Sequence, residues 1–286
     1  MSRQFMSRQS MSRQSMSRQS PSTTPTSLSA KLLKASGVLW FIAAATGQLA
    51  FIAFIVLYYY TRTLSGNLSA WNDKPIIQGY TAGDDAGNFM FAVHVLLAAM
   101  ITLAGILQLI PGLRRRAPAL HSWSGRLFML MAVIMAAGGL WLVIVRGTYI
   151  TVISAIPTSI NGVLILITAG VALYFAVTRQ IDRHRRWAMR LWLLVNGVWF
   201  FRILIMAWAI IMQGAGLTDT LSSPVDLGIA ASSYLLPIGI LQLYLMAQDT
   251  SHMVPKIAMS VLLLVCTGII AIGTFGAVAF MWWPYI

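Results

Sequence analysis

Apolar positions along this chain gather into seven runs, near 36–60, 88–110, 122–145, 159–178, 187–213, 227–247 and 257–281. A bilayer core about 30 Å thick needs about 20 apolar residues per helix, so each run is long enough to cross. The pattern predicts an all-α, polytopic transmembrane bundle of about seven spans. The fourth and sixth runs are the least hydrophobic at their ends, which leaves five or six spans as alternatives. Polar residues concentrate between the runs. Residues 111–126 carry Arg114, Arg115, Arg116, His121 and Arg126. Residues 179–190 carry Arg179, Arg183, His184, Arg185, Arg186 and Arg190. In both stretches a basic cluster leads to a His, a Trp and an Arg inside the next apolar run.

Composition agrees. The 286 residues are 58% hydrophobic and 9% charged, against about 25% charged in soluble domains. All seven acidic residues are Asp. One cysteine, Cys266, excludes an intramolecular disulfide and a Cys-based metal cluster. The net charge of +13 lies in tails and loops, so it points to anionic lipid headgroups at the cytoplasmic face rather than to nucleic acid. Residues 1–30 are built largely from a Met-Ser-Arg-Gln repeat. They have too little apolar content to offset ordering entropy and read as a disordered tail, with 31–286 as the transmembrane domain. Met6, Met11 and Met16 are alternative starts. The first apolar run is too long for a secretory signal and lacks a cleavage site.

The positive-inside rule orients the bundle. Lys31, Lys34, the 114–116 arginines, the 179–186 arginines and Lys256 alternate with loops that hold only Arg62, Lys74 and Arg146. The amino terminus is expected in the cytoplasm and the carboxyl terminus outside, with Trp282, Trp283 and Tyr285 as an outer aromatic belt. This orientation excludes the seven-helix receptor and rhodopsin arrangements. No carboxylate falls inside a run, which argues against an ion-coupled pump.

Two layers of polar side chains remain. His94 lies in the second run and Arg202 in the fifth, 16 and 15 residues from Ile110 and Trp187, a rise of about 22–24 Å for each. They fall in one layer. An arginine at a helix centre costs about 2.5–3.5 kcal/mol, so Arg202 needs a partner: a carbonyl, water, an amide, an aromatic face or an anionic ligand. His94, Ala98, Thr102, Gly105 and Gln108 share one arc of the second helix; small-residue packing explains part of that arc. The second layer holds His121, Arg126, His184, Arg190, Gln108 and Gln242. Two imidazoles on neighbouring helices suit axial haem iron, with arginines for propionates. A quinone, a metal, lipid phosphate, or plain snorkelling to headgroups fit the same residues.

The elements His94, Gln108-x5-Arg114, His121-x-Trp-x-Gly-Arg126, His184-Arg-Arg-Trp187-Ala-Met-Arg190 and Arg202 resemble the bacterial membrane-protein family known as domain of unknown function 2306, over about 36–250. The resemblance implies a multi-pass protein of the bacterial cytoplasmic (inner) membrane and brings no activity. The favoured reading is a redox-type protein binding haem b or quinone through His94, His121, His184 and the nearby arginines; the alternatives are a transporter or binder of a small anionic or lipid-like ligand at His94 and Arg202, and a structural or assembly subunit.

Overall fold

The computed structural model describes residues 27–74 and 78–286, so the repeat tail up to Thr26 lies outside the described residues. Regular structure among the described residues is helical throughout. Helix α1 spans Leu28–Leu64 and contains a π turn at Val56–Tyr60. The Ser27 hydroxyl caps it by accepting from the Ala30 amide. Lys31 and Lys34 therefore sit in the first turns of the helix, not in a tail before it. A short 3-10 turn, Leu68–Asp73, leads towards α2, Asp85–Leu109, which Asp84 caps. Next come the short α3, Pro111–Arg116, and α4, Pro118–Ile144. Helix α5, Val152–Val177, starts seven residues before its expected run. Its capping box pairs Thr151 with Ser154 and carries the helix through Pro157.

The fifth crossing departs from expectation. It is not one helix over 187–213 but two, α6 at Ile181–Val195 and α7 at Gly197–Ile211, with axes 56° apart. The break falls on Asn196-Gly197, two poor helix formers in sequence. The Asn196 side chain competes with the helix by donating back to the Trp192 carbonyl at 2.8 Å. As a result α6 packs along α5, whereas α7 leaves it for α8, Pro224–Asp249, and α9, Met253–Gly276. Six unbroken helices and this bent pair are long and apolar enough to cross a membrane.

Leu33, Ala247, Met259 and Leu263 pack together. They join the start of α1, the end of α8 and the start of α9 at the end that carries the arginine-rich loops, here called the basic end. At the far end, Lys74 donates to the Met281 carbonyl at 2.9 Å and Arg62 to the Tyr285 carbonyl at 3.3 Å. The two ends of the described chain thus lie at opposite ends of the bundle. The outer surface is apolar, with Val38, Leu130, Ile167, Leu236 and Val261 all exposed, as lipid requires. The core is aromatic. Trp282 is only 1% exposed and stacks against Phe51 and Phe54, so the expected belt loses its first member to the interior. Trp283 remains on the surface. Gly273 packs where a Cβ would fall 2.2 Å from the Ile203 carbonyl oxygen. The Gly273-x-x-x-Ala277 pattern is therefore a helix-packing seam.

Candidate functional site

In the far half of the bundle two cations, Arg202 and Lys74, stand apart from the carboxylates of that end. Arg202, one and a half turns past the break, makes one hydrogen bond among the described residues, from Nη1 to the Val198 carbonyl of its own helix at 2.9 Å. Its guanidinium lies over the Phe51 ring, 5.3 Å from the centroid. His94 on α2 is within electrostatic reach of Arg202, as are Tyr59 and Lys74. The straight-span rise expected for Arg202 does not apply to a helix bent at Asn196. The bend nonetheless delivers it beside His94. The His94 ring packs on Gly139, whose added Cβ would lie 3.1 Å from Cε1, and its buried Nδ1 has no partner among the described residues.

Lys74 closes this region from the loop side. Besides its bond to Met281, its ammonium lies 4.8 Å from the centre of the Tyr285 ring and 5.7 Å from that of Phe54. The Lys74 amide donates to the Tyr58 hydroxyl at 3.0 Å. Burial first, and the Arg202 charge second, pull the ammonium down to about 8 from 10.5. The ion pairs among the described residues are Arg62–Asp73, Arg146–Asp84 and Arg186–Asp249. Neither Arg202 nor Lys74 belongs to one. An arrangement of guanidinium, ammonium and imidazole groups with two aromatic walls suits an acceptor-only anion.

Sequence reasoning missed Lys74, Tyr59 and Phe51 as neighbours of Arg202. Lys74 counted only as a cation in a basic-poor loop, and a contact made through loop folding leaves no spacing to read.

Arg146 is a different kind of far-end cation. It donates to Asp84 Oδ2 and to Asn88 Oδ1 at 2.8 Å each, and to the Gly79 carbonyl. That clamp fixes residues 79–88 to the α4–α5 turn. The hydrogen bond from Arg146, with that from the Gly87 amide, holds the Asp84 carboxyl below the usual range. Its donors are used by the fold.

The basic-end candidates separate into two groups. Gln108 donates to the His121 carbonyl at 3.1 Å and the Ser124 hydroxyl at 2.6 Å, which ties α2 to α4. Arg190 reaches Gln242 Oε1 at 2.6 Å and the Arg186 carbonyl at 3.1 Å. Arg126 lies over Trp123 on the surface. His121 and His184 are brought together, within electrostatic reach of each other and, for His121, of Arg114. His184 Nδ1 lies 2.9 Å from the Ala172 carbonyl. A carbonyl only accepts, so Nδ1 carries a proton and donates, which leaves Nε2 as the nitrogen not engaged by the backbone. His121 Nδ1 is buried without a partner among the described residues. No group of three or more His, Cys or Asp able to hold a metal occurs among the described residues. His94 lies far along α2 from this pair, so the two layers are two places.

No curated protein and no solved structure matches the chain. A family model does, and its match is shorter than the resemblance suggested, while still covering His94, Gln108, His121, Arg126, His184, Arg190 and Arg202: the model of a family described as a predicted membrane protein, DUF2306, matches residues 91–225 of this chain.

Proposed function

We propose that this multi-pass membrane protein binds, and moves or presents, a small anionic or lipid-like ligand in the far half of its bundle. Arg202, His94 and Lys74 contact the ligand, and the basic end faces the cytoplasm of a bacterial inner membrane. The observation that carries this reading is the bonding of Arg202. It is a membrane-depth arginine whose only hydrogen bond among the described residues returns to its own helix, and its charge acts on a second cation, Lys74. Two cations within electrostatic reach of each other repel, and an anion between them removes the repulsion. The uneven charge distribution of the loops supports the orientation.

The test is a titration of the full chain in nanodiscs with inorganic phosphate, a short-chain carboxylate, a long-chain fatty acid and an anionic phospholipid. Saturable binding of at least one of them, lost in Arg202→Leu, is the expected result. Binding that is indifferent to Arg202, or no binding of any of the four, overturns the reading.

His184 favours a second reading. With Nδ1 bonded to a backbone carbonyl, its Nε2 is presented as histidine ligands of metals commonly are, and His121 lies beside it. A pair of this kind suits haem b or a quinone at the basic end. A visible spectrum of protein purified from haem-precursor-fed cells, before and after dithionite, decides it. A Soret band that disappears in His184→Ala supports haem, and a flat spectrum removes it.

A further inference from the structure

The break in the fifth crossing gathers buried polar atoms that the protein itself leaves unpaired. Gln48 on α1 is fully buried and donates from Nε2 to Asn196 Oδ1 at 3.1 Å. Its Oε1 has no partner among the described residues. Asn161 on α5 donates to the Leu194 carbonyl at 3.1 Å, and its Oδ1 is likewise unpaired. The Asn161 amide lies against Gly197, where an added Cβ would be 2.6 Å from Nδ2. Thr274 on α9 and Trp199 on α7 meet at Gly47, where a Cβ would lie 2.6 Å from Oγ1 and 2.8 Å from the indole ring. Thr274 Oγ1 and Trp199 Nε1 are unpaired too. Four helices thus bring two amide oxygens, one hydroxyl and one indole N–H to a single break.

Each buried polar atom left unpaired costs about 1–3 kcal/mol, so this set calls for an occupant. The set includes both donors and acceptors, and none of its members is charged. An anion needs donors alone and a cation oxygens alone. Water satisfies both and is a recognised cause of sharp helix kinks when it enters the backbone ladder.

We infer that the break houses ordered water, held by Gln48, Asn161, Thr274 and Trp199. This water is an internal site distinct from the Arg202 region, and it hydrates the point where the fifth crossing turns. The inference stands on these atoms alone and does not depend on any ligand at Arg202.

Radiolytic hydroxyl labelling of the full chain in nanodiscs tests it, because radicals generated from buried water oxidise the side chains that line it. After correction for the intrinsic reactivity of each ring, Trp199 is expected to be labelled several-fold faster than Phe54, an equally buried ring with no polar atom to hold water. Gln48→Leu and Thr274→Val should bring Trp199 down to the Phe54 level. Equal corrected rates for the two rings in the unaltered protein overturn the inference whether or not the variants fold. Labelling of Trp199 or a melting temperature that changes between sodium, potassium and choline chloride assigns the site to a monovalent cation and also overturns it.

Discussion

At the basic end, Arg186 meets both oxygens of Asp249 at 2.8 Å, Arg190 spans Gln242 and a carbonyl, and Arg126 rests on Trp123. In the far half, Arg202 has one carbonyl of its own helix and the face of Phe51. The basic-end cations lie where water and headgroups supply whatever bonds the protein omits, and nothing about them demands a ligand. Arg202 lies where neither is at hand. The same residue type is therefore ordinary in one layer and informative in the other. What separates the two is depth in the bundle and the absence of a carboxylate.

The far end contains its own control. Arg146, its side chain 7% exposed, is saturated by Asp84, Asn88 and Gly79. The comparison therefore predicts opposite behaviour for two arginines. Arg202→Leu should weaken anion binding by about 100-fold or more, the usual consequence of losing one side of a buried charge contact. Its melting temperature should hold or rise, because about 2.5–3.5 kcal/mol of insertion cost is removed. Titration and a thermal melt on the same sample check both, and a destabilised variant that binds normally breaks the comparison.

Arg146→Met should do the reverse. It should cost about 1.5–3 kcal/mol through its lost charge-assisted bonds, seen as a lower melting temperature, while anion selectivity stays as it was.

Lys74→Met should weaken binding by about tenfold, a contact at the rim of the site. It should also remove a pH dependence. In the unaltered protein the Lys74 ammonium is lost as pH rises through about 8, so anion affinity falls above that value. Stability moves the other way. The folded state holds Lys74 below its ordinary 10.5, a penalty present at low pH and relieved as pH climbs from about 8 towards 10.5. Titrations at pH 7 and pH 9, with and without the substitution, read both signs.

Asp249→Asn should have the smallest effect. It frees Arg186 from an exposed pair worth about 0–1 kcal/mol. A melt that shifts substantially in low salt would show the basic end to be less ordinary than its geometry indicates.

Spans, order and charge asymmetry were legible because a bilayer imposes length and apolarity on each crossing separately, and those are local properties of sequence. The approach of His94 to Arg202 followed from residue type and depth: a membrane-depth arginine needs company, and His94 falls in the same layer. The turn at Asn196 was not legible. Asn-Gly within an apolar run marks weakness, and whether the helix bends there depends on Gln48 and Asn161, which come from α1 and α5. Trp282 was misread as a belt residue because three aromatics at a chain end look interfacial until Phe51 and Phe54 provide a stack. Lys74 was beyond reach for the reason its neighbours show, since Met281 and Tyr285 approach it from the other end of the chain.

The contact between Gly273 and the carbonyl of Ile203 has a mechanical consequence. Ile203 follows Arg202 directly, and Gly273 stands eight residues before Met281, whose carbonyl takes the Lys74 ammonium. With no side chain between the two backbones, α7 and α9 behave as one strut. One end of that strut bears the arginine and the other bears the anchor of the lysine above it. A displacement of Arg202 would therefore be felt at the anchor of Lys74, and the two cations would shift as a pair.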